Sequence, residues 1–396
     1  MERSSVIPVK TGLENFVTSS QPEFANKKIG LLCNPASVDS RLRHARDLIH
    51  NRFPGQLKAL FSPQHGFFAE KQDNMIESGH LTDRTLHIPV FSLYGETRVP
   101  EKEMFDLIDA LIIDLMDVGT RVYTFIYTVS YCLETAKKFG RKIIILDRPN
   151  PINGISIEGN LLNPDFSSFV GRYPIPMRHG LTMGELALFI NREFGIDCEL
   201  DVIRLSGWKR NMYYEDTGLP WVPPSPNLPT PGSALVYPGQ VIFEGTNISE
   251  GRGTTQPFLL FGAPFLDTEE ITKILGGNLF PGAILRPVVF EPTSNKWSGQ
   301  ACQGFQIHVT DSEIYNAYET TLTLLQAIIR SSGDAFKWKS PPYEYEYEKL
   351  PVDLIIGDQH IREKIETMIP LEDIFASFKP DIDRFRSKSA AYHLYE

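Results

Sequence analysis

Short apolar runs that end in turn residues recur along the first half of the chain and restrict the folds that it can adopt. The first run, Lys28 to Cys33, ends at Asn34-Pro35. Comparable runs lie at residues 57–61, 90–93, 110–115 and 142–146, and helix-like stretches separate most of them. Strands that are apolar on both faces and alternate with helices are typical of a parallel sheet covered on both sides. The pattern predicts a doubly wound α/β domain with a mostly parallel sheet.

A proline-rich segment divides the chain. Seven prolines lie between residues 219 and 238. Because proline fixes φ and removes a hydrogen-bond donor, we expect an extended, stiff connector there. Residues 1–218 then form the α/β domain and residues 239–396 a smaller α+β domain, with strands near 283–290 and 304–309 and a helix at about 312–330. Trp221 and Tyr237 either dock the connector or stack on a sugar ring, and docking is the more frequent outcome.

Signature motifs for the common cofactors are missing. The first strand is not followed by G-x-G-x-x-G, and no G-x-x-x-x-G-K-[ST] occurs, so we expect a Rossmann-like fold without a nucleotide cofactor. The four cysteines lie far apart, which predicts neither a disulfide framework nor a zinc knuckle. No carboxylate or histidine cluster has the spacing of metal ligands, and we predict no metal site.

The charge of the chain limits its partners. A net charge of −10 argues against a general basic field of the kind that holds nucleic acid or an anionic membrane. No apolar run reaches the length of a membrane span, and the N-terminus lacks the apolar core of a secretory signal. We therefore expect a cytoplasmic protein with a small ligand, or a periplasmic one if a leader has been removed.

Polar side chains follow the predicted strands, at the edge of the sheet where such folds bind ligands. They are Asn34, Gln64, His65, Tyr94, Glu96, Asp114, Asp117, Arg121, Asp147, Arg148 and Asn150. His65 lies in a His-Gly turn, with Glu70 in the same loop, and suits a catalytic or orienting imidazole. Asp114 falls in or at the end of a strand and needs a partner, for which Arg121 is the expected residue. A structural salt bridge explains that pair as well as a catalytic role does.

Residues 241–258 combine a short run of strand character with a loop rich in glycine. The loop interleaves Glu244, Glu250 and Arg252 with three glycines and several hydroxyl groups. Such a mixture indicates a backbone that approaches a polar ligand, although a polar surface loop that binds nothing is the alternative. We expect this loop to face the strand ends, His65 among them, across a cleft between the two domains.

Two further segments carry charged residues. Arg178 and His179 directly precede a capping box at Thr182–Glu185, where a helix N-terminus favours an anion. A hydrogen bond from His179 to a neighbouring loop is equally compatible with the sequence. The aromatic and acidic run at residues 341–348 is expected to be a solvated strand or loop without a function.

Eight ordered blocks, spread over essentially the whole chain, resemble the DUF1343 family, which contains the NamZ-type exo-β-N-acetylmuramidases. The blocks are C-N-P-A-S-V-D, F-S-P-Q-H-G-F, P-V-F-S-L-Y-G-E-T, I-D-L-M-D-V-G-T-R-V-Y-T, L-D-R-P-N-P-I-N-G, S-F-V-G-R-Y-P-I-P-M-R-H-G-L-T-M-G-E-L-A, P-S-P-N-L-P-T and F-E-G-T-N-I-S-E-G-R-G-T-T-Q-P-F. The resemblance implies a Rossmann-like domain, a smaller C-terminal domain and an active cleft between them. It also implies release of non-reducing-end N-acetylmuramic acid from peptidoglycan fragments during bacterial cell wall recycling.

One position departs from the family pattern. Many relatives of the resembling family have Glu where this chain has Gln64, and this Glu is our candidate for the general acid of the family. An amide cannot donate a proton as a carboxylic acid does. Either another acid replaces it, with Glu70 the closest candidate, or the protein binds the sugar without turning it over. A nucleotide-sugar enzyme is a third hypothesis, and the missing phosphate loops count against it.

The resemblance and the residues together suggest roles for the site. Glycoside hydrolysis uses two carboxyl groups. We expect Glu70 or a neighbouring acid to protonate the leaving oxygen, Glu244 or Asp114 to position water or stabilise positive charge, and His65 to orient one of them. The candidate substrate-binding residues are Asn34, Gln64, Asp117, Arg121, Tyr123, Arg178, His179, Glu250 and Arg252.

Overall fold

The computed structural model describes residues 8–69, 71, 76–95, 97–276 and 280–396. The strands are β1 Ile29–Cys33, β2 Leu57–Ser62, β3 Leu81–Thr82, β4 Pro89–Ser92, β5 Ala110–Asp114, β6 Lys142–Leu146, β7 Glu158–Leu161, β8 Pro176–Arg178, β9 Leu200–Ile203, β10 Leu260–Ala263, β11 Ala283–Phe290 and β12 Cys302–Val309. The helices are α1 Gly12–Thr18, α2 Ala45–Arg52, α3 Lys102–Asp106, α4 Phe125–Phe139, α5 Met183–Glu193, α6 Pro231–Gln240, α7 Thr268–Ile274, α8 Ala317–Ser332, α9 Pro351–Ile356, α10 Gln359–Glu366 and α11 Leu371–Ser389.

The apolar runs of the first half form one seven-stranded sheet. Its order is β3-β4-β2-β1-β5-β6-β9, and each neighbouring pair is parallel except β3 with β4. Alternate residues point to opposite faces. Leu31 and Ile112 therefore pack with α1 and α2 on one face, whereas Leu32 and Ile113 pack with α4 and α5 on the other. The predicted doubly wound α/β domain is confirmed.

The second half contains a three-stranded antiparallel sheet with the order β10-β12-β11, flanked by helices. The strands and the long helix expected in this region are present as β11, β12 and α8. One apolar core cluster joins the halves, because it contains Phe61 and Ile113 of the large sheet together with Phe243 and Leu322 of the second half. Within the described ranges, no helix combines the length and apolarity that crossing a bilayer requires.

The proline-rich segment differs from the prediction. Its last part is helix α6, so an extended connector through residue 238 was wrong. Pro231 occupies the first turn, where a missing N–H is tolerated, and the Thr230 hydroxyl accepts a hydrogen bond from Ser233 N–H at the helix start. Residues Val241–Gly245 continue as a 3-10 helix, which corrects the predicted strand. Packing of α6 against α8 outweighs the local preference of the prolines for an extended chain.

Candidate active site

A cavity lies where the carboxyl ends of the parallel strands meet the second half of the chain. Its empty space, including the part open to solvent, is about 470 Å³. The lining residues are Gln64, His65, Val122, Tyr123, Thr124, Phe125, Val170, Ser225, Asn227, Leu228, Tyr237, Glu244, Arg252, Phe258, Tyr343 and Glu344. His65 and Arg252 thus share one cavity, as the sequence predicted.

The glycine-rich loop contributes a buried chain of alternating charges. Arg252 donates to Glu244 over 2.6 Å and lies 3.2 Å from Glu250, which in turn lies 2.8 Å from the Lys296 ammonium. The Tyr343 hydroxyl donates a second hydrogen bond to Glu244, over 2.8 Å. Burial alone would raise the pKa of Glu244, but the charge and hydrogen bond of Arg252 outweigh it and lower that pKa. Glu244 is therefore a buried, ionised carboxylate.

Glu344 presents a second carboxyl group to the same cavity. Its Oε1 accepts a hydrogen bond from Gln64 Nε2 over 3.2 Å, and its Oε2 accepts one from the Tyr94 hydroxyl over 2.8 Å. The Arg98 guanidinium lies 3.8 Å away. Burial raises the pKa of Glu344, and the three neighbours only partly offset this effect. The two cavity carboxyl groups are therefore shifted in opposite directions.

His65 is a neutral imidazole at the edge of the large sheet. Its Nδ1 lies 2.7 Å from the Lys71 carbonyl oxygen, which can only accept, so Nδ1 carries the proton and Nε2 has a free lone pair. Burial, with a contribution from Arg252, lowers the pKa of His65 to about 4. Among the residues that the structure describes, none donates a hydrogen bond to Nε2. The ring can therefore accept a hydrogen bond from a ligand or water.

Three residues of the cavity have left-handed backbone conformations. The φ angles are +74° at His65, +66° at Phe258 and +48° at Glu344. A non-glycine residue in this region costs on the order of 1–3 kcal/mol, and such residues cluster at functional sites. The surrounding fold therefore holds these side chains at the cavity in spite of local strain.

The predicted pair of Asp114 and Arg121 was wrong. Asp114 is fully buried and accepts two hydrogen bonds from Arg148, over 2.5 and 2.8 Å. Arg121 instead donates to backbone carbonyl oxygens, two of which, those of Ile355 and Ile356, terminate α9. A helix C-terminus attracts a cation, which explains this choice of partner. Neither Asp114 nor Arg121 lines the cavity.

The segment at Arg178 and His179 also serves the fold. Arg178 binds Glu158 and the Ile152 carbonyl, and His179 Nε2 lies 3.1 Å from Asp117. The N-terminus of α5 does hold an anion, but this anion is the Asp147 side chain, which accepts a hydrogen bond from Gly184 N–H over 2.8 Å. The predicted substrate site at this helix is therefore already filled from within the chain.

Of the remaining candidates from the sequence, some line the cavity and others do not. Gln64 and Tyr123 line the cavity, and Gln64 Oε1 accepts a hydrogen bond from Thr124. Asn34 does not line the cavity and donates a hydrogen bond to the Pro224 carbonyl. Glu250 does not line it either and forms an ion pair with Arg252. Glu70 lies outside the described residues, as does Glu96.

Sequence reasoning missed Glu344 and Tyr343, both from the run at residues 341–348 that was expected to be solvated. The run contains three glutamates with identical tyrosine neighbours on their N-terminal side. Only the fold distinguishes the buried Glu344 from the exposed Glu348. The tyrosines at alternate positions were the available signal, since they favour a segment that packs against the protein.

The fold of this chain also occurs in solved DUF1343 proteins. Two crystal structures of family members from Bacteroides fragilis NCTC 9343 superpose with TM-scores of 0.87 and 0.78, at 34% and 30% identity. Both matches cover 98% of this chain, and they cover 100% and 99% of those chains.

The chain belongs to the family of the exo-beta-N-acetylmuramidase NamZ. Residues 29–232 match the N-terminal domain of that family and residues 235–395 match its C-terminal domain. The Bacillus subtilis (strain 168) peptidoglycan beta-N-acetylmuramidase NamZ is 41% identical over 387 residues, which is 98% of this chain and 91% of the relative. The predicted family and enzyme class, an exo-β-N-acetylmuramidase-like glycosidase, are confirmed.

Proposed function

We propose that the protein hydrolyses the β-glycosidic bond that joins a non-reducing-end N-acetylmuramic acid to the rest of a peptidoglycan fragment. The observation that carries this proposal is the pair of carboxyl groups in one cavity, Glu244 and Glu344, whose pKa values are shifted down and up respectively. Glycoside hydrolysis needs one carboxylate and one carboxylic acid at the same time. The name of the Bacillus subtilis relative supports the choice of sugar.

The polar groups of the cavity suit a muramic acid ring. This sugar bears a lactyl carboxylate, for which a guanidinium is a strong partner. Arg252 uses Nε and Nη2 for its two glutamates, and in the described part of the chain its Nη1 has no hydrogen-bond partner. Nη1 is therefore available to a substrate oxygen, while Tyr237 and Phe258 offer aromatic surface.

Glu244 stabilises the positive charge that develops on the anomeric carbon when the glycosidic bond breaks, or positions the water that attacks it. Its ionised state in a buried position makes this electrostatic effect strong. The free lone pair of His65 Nε2 accepts a hydrogen bond from the water or from a sugar hydroxyl. A His65 ring with a pKa of about 4 remains neutral in this role at neutral pH.

The direct test is release of 4-nitrophenol from 4-nitrophenyl β-N-acetylmuramide. Wild-type protein should release it, and Glu244→Gln should reduce kcat by about 10²- to 10³-fold, the usual effect of removing an electrostatic group that acts on the transition state. Glu348→Gln, a change at an exposed position of the C-terminal half, serves as the matched control and should leave kcat unchanged. No release by wild type above the Glu244→Gln level would reject hydrolysis.

Gln64 favours a second candidate, a sugar-binding protein without turnover. An amide stands at the position of our candidate for the family acid, and it lines the cavity. Calorimetric titration with N-acetylmuramic acid distinguishes the two candidates. Binding that is lost in Arg252→Met, combined with no release of nitrophenol, would support the second candidate.

A further inference from the structure

Hydrolysis of an unactivated glycoside requires a proton donor to the leaving oxygen. Gln64 cannot serve, and Glu244 is held in the ionised form by Arg252. The donor must be a carboxyl group that reaches the cavity and retains its proton near neutral pH. Among the described residues that line the cavity, Glu344 is the other carboxyl group.

Glu344 lies next to the side-chain amide of Gln64. Gln64 Nε2 donates to Glu344 Oε1, so the two side chains lie side by side at the cavity wall. The Tyr94 hydroxyl holds the other oxygen. The left-handed backbone at Glu344 continues at Tyr345, whose ring stacks on the Arg98 guanidinium at 4.2 Å. Glu344, from the second half of the chain, is thus placed by contacts with residues of the first half.

We propose that Glu344 is the proton donor of the reaction, taking the place of the acid that the amide of Gln64 cannot supply. The proposal rests on the proposed hydrolase function. As the bond from the anomeric carbon to the leaving oxygen breaks, its electron pair goes to that oxygen and the Glu344 proton is transferred to it, which forms the alcohol. Water adds to the anomeric carbon and releases one proton, so that reprotonation of Glu344 balances the cycle.

The hydrogen bonds of Glu344 agree with this role. Gln64 and Tyr94 both donate to the carboxyl oxygens, and a carboxylic acid can accept both bonds and still direct its own O–H elsewhere. Burial favours the protonated form, and repulsion from ionised Glu244 adds to the effect. Glu346 and Glu348 of the same run do not line the cavity.

The test compares two substrates with good and poor leaving groups. An unactivated disaccharide, N-acetylmuramic acid β-linked to N-acetylglucosamine, needs the acid, whereas 2,4-dinitrophenyl β-N-acetylmuramide does not. Glu344→Gln should reduce kcat on the disaccharide by about 10²- to 10⁴-fold and much less on the activated substrate. Glu348→Gln should affect neither, and circular dichroism should confirm that both variants are folded. Equal losses on the two substrates would assign Glu344 a structural role and overturn the proposal.

An exchange of the two side chains sharpens the test. The double variant Gln64→Glu/Glu344→Gln exchanges the carboxyl group and the amide of this hydrogen-bonded pair. It should recover part of the activity on the disaccharide that Glu344→Gln loses. Glu70→Gln examines the acid that stands six residues after Gln64 in the sequence. A leaving-group-dependent loss in Glu70→Gln, without one in Glu344→Gln, would make Glu70 the donor. Inactivity of the wild type on both substrates would instead reject the proposed function itself.

Discussion

Glu244 and Glu344 show how two buried carboxyl groups in one cavity acquire different protonation states. Burial raises the pKa of both, so their neighbours decide the outcome. Glu244 contacts Arg252 directly, whereas the Arg98 guanidinium stands 3.8 Å from Glu344 and stacks on Phe169. Direct contact with a cation in a buried site is a strong stabilisation of the carboxylate, and it weakens with distance. The fold thus separates acid and carboxylate through the different distances of their nearest cations.

The pH dependence of kcat/KM should be bell-shaped. Since the pKa of Glu244 is lowered from 4.5, its carboxylate is lost only below that value. Since the pKa of Glu344 is raised from 4.5, its proton is lost only above it. Activity on the disaccharide should therefore rise through a pKa below 4.5 and fall through a pKa above 4.5. Profiles of the wild type on the disaccharide and on the activated substrate provide the check, because only the disaccharide needs the acid. The same alkaline limb on both substrates would contradict the assignment.

His65 should make folding stability depend on pH. Its pKa is lowered from 6.5 to about 4 in the folded state, so the unfolded chain takes up the proton first as the pH falls. The neutral ring contributes to the free energy of unfolding, and this contribution is fully present above pH 6.5. It is lost as the pH falls to about 4, which lowers the free energy of unfolding by about 3 kcal/mol. Urea unfolding of wild type and His65→Gln at pH 7 and pH 4.5 measures it. Exposed His360→Gln is the control and should behave like wild type.

Elements with a strong local pattern could be predicted from the sequence, and elements determined by distant contacts could not. The strands of the large sheet are apolar on both faces and were found as expected, and the capping box of α5 at Thr182 is present. The proline content suggested an extended chain where α6 forms, because packing on α8 is invisible in one sequence. Likewise, no local signal indicates that Asp114 pairs with Arg148, 34 residues away, or that Glu344 reaches Gln64.

Close packing of α6 on α8 can be tested with two glycines of α6. A Cβ on Gly239 would overlap the carbonyl oxygen of Ala317 and the hydroxyl of Thr321, whereas a Cβ on Gly232 has its nearest neighbour, Thr230 Oγ1, at 3.7 Å. Gly239→Ala should therefore lower the free energy of unfolding by about 1–3 kcal/mol. Gly232→Ala is the matched control and should be neutral or stabilising, since alanine favours helix. Equal effects in urea unfolding would show that α6 can move away from α8.

At the scale of the whole molecule, the polar groups that line the cavity come from segments far apart in the chain and depend on how the halves are joined. Gln64 and His65 follow β2, Glu244 follows α6, and Glu344 lies shortly before α9. The shared core holds the halves together through apolar packing. Arg121 adds a polar connection, because its guanidinium donates to the carbonyls of Asn160, Ile175, Ile355 and Ile356.

Arg121→Met should therefore affect both stability and catalysis. The four carbonyl oxygens lose their charged donor in a buried site, and we expect the free energy of unfolding to fall by on the order of 4 kcal/mol. Helix α9 follows the segment that contains Glu344. A looser attachment of α9 should therefore also lower kcat on the disaccharide more than kcat on the dinitrophenyl substrate. Arg172→Met is the control, since Arg172 and its partner Glu134 are partly exposed, and it should cost less than about 1 kcal/mol. Urea unfolding and the ratio of the two kcat values measure these effects. If Arg121→Met destabilises the protein but leaves that ratio unchanged, the position of Glu344 is set by its contacts with Tyr94, Gln64 and Arg98 alone.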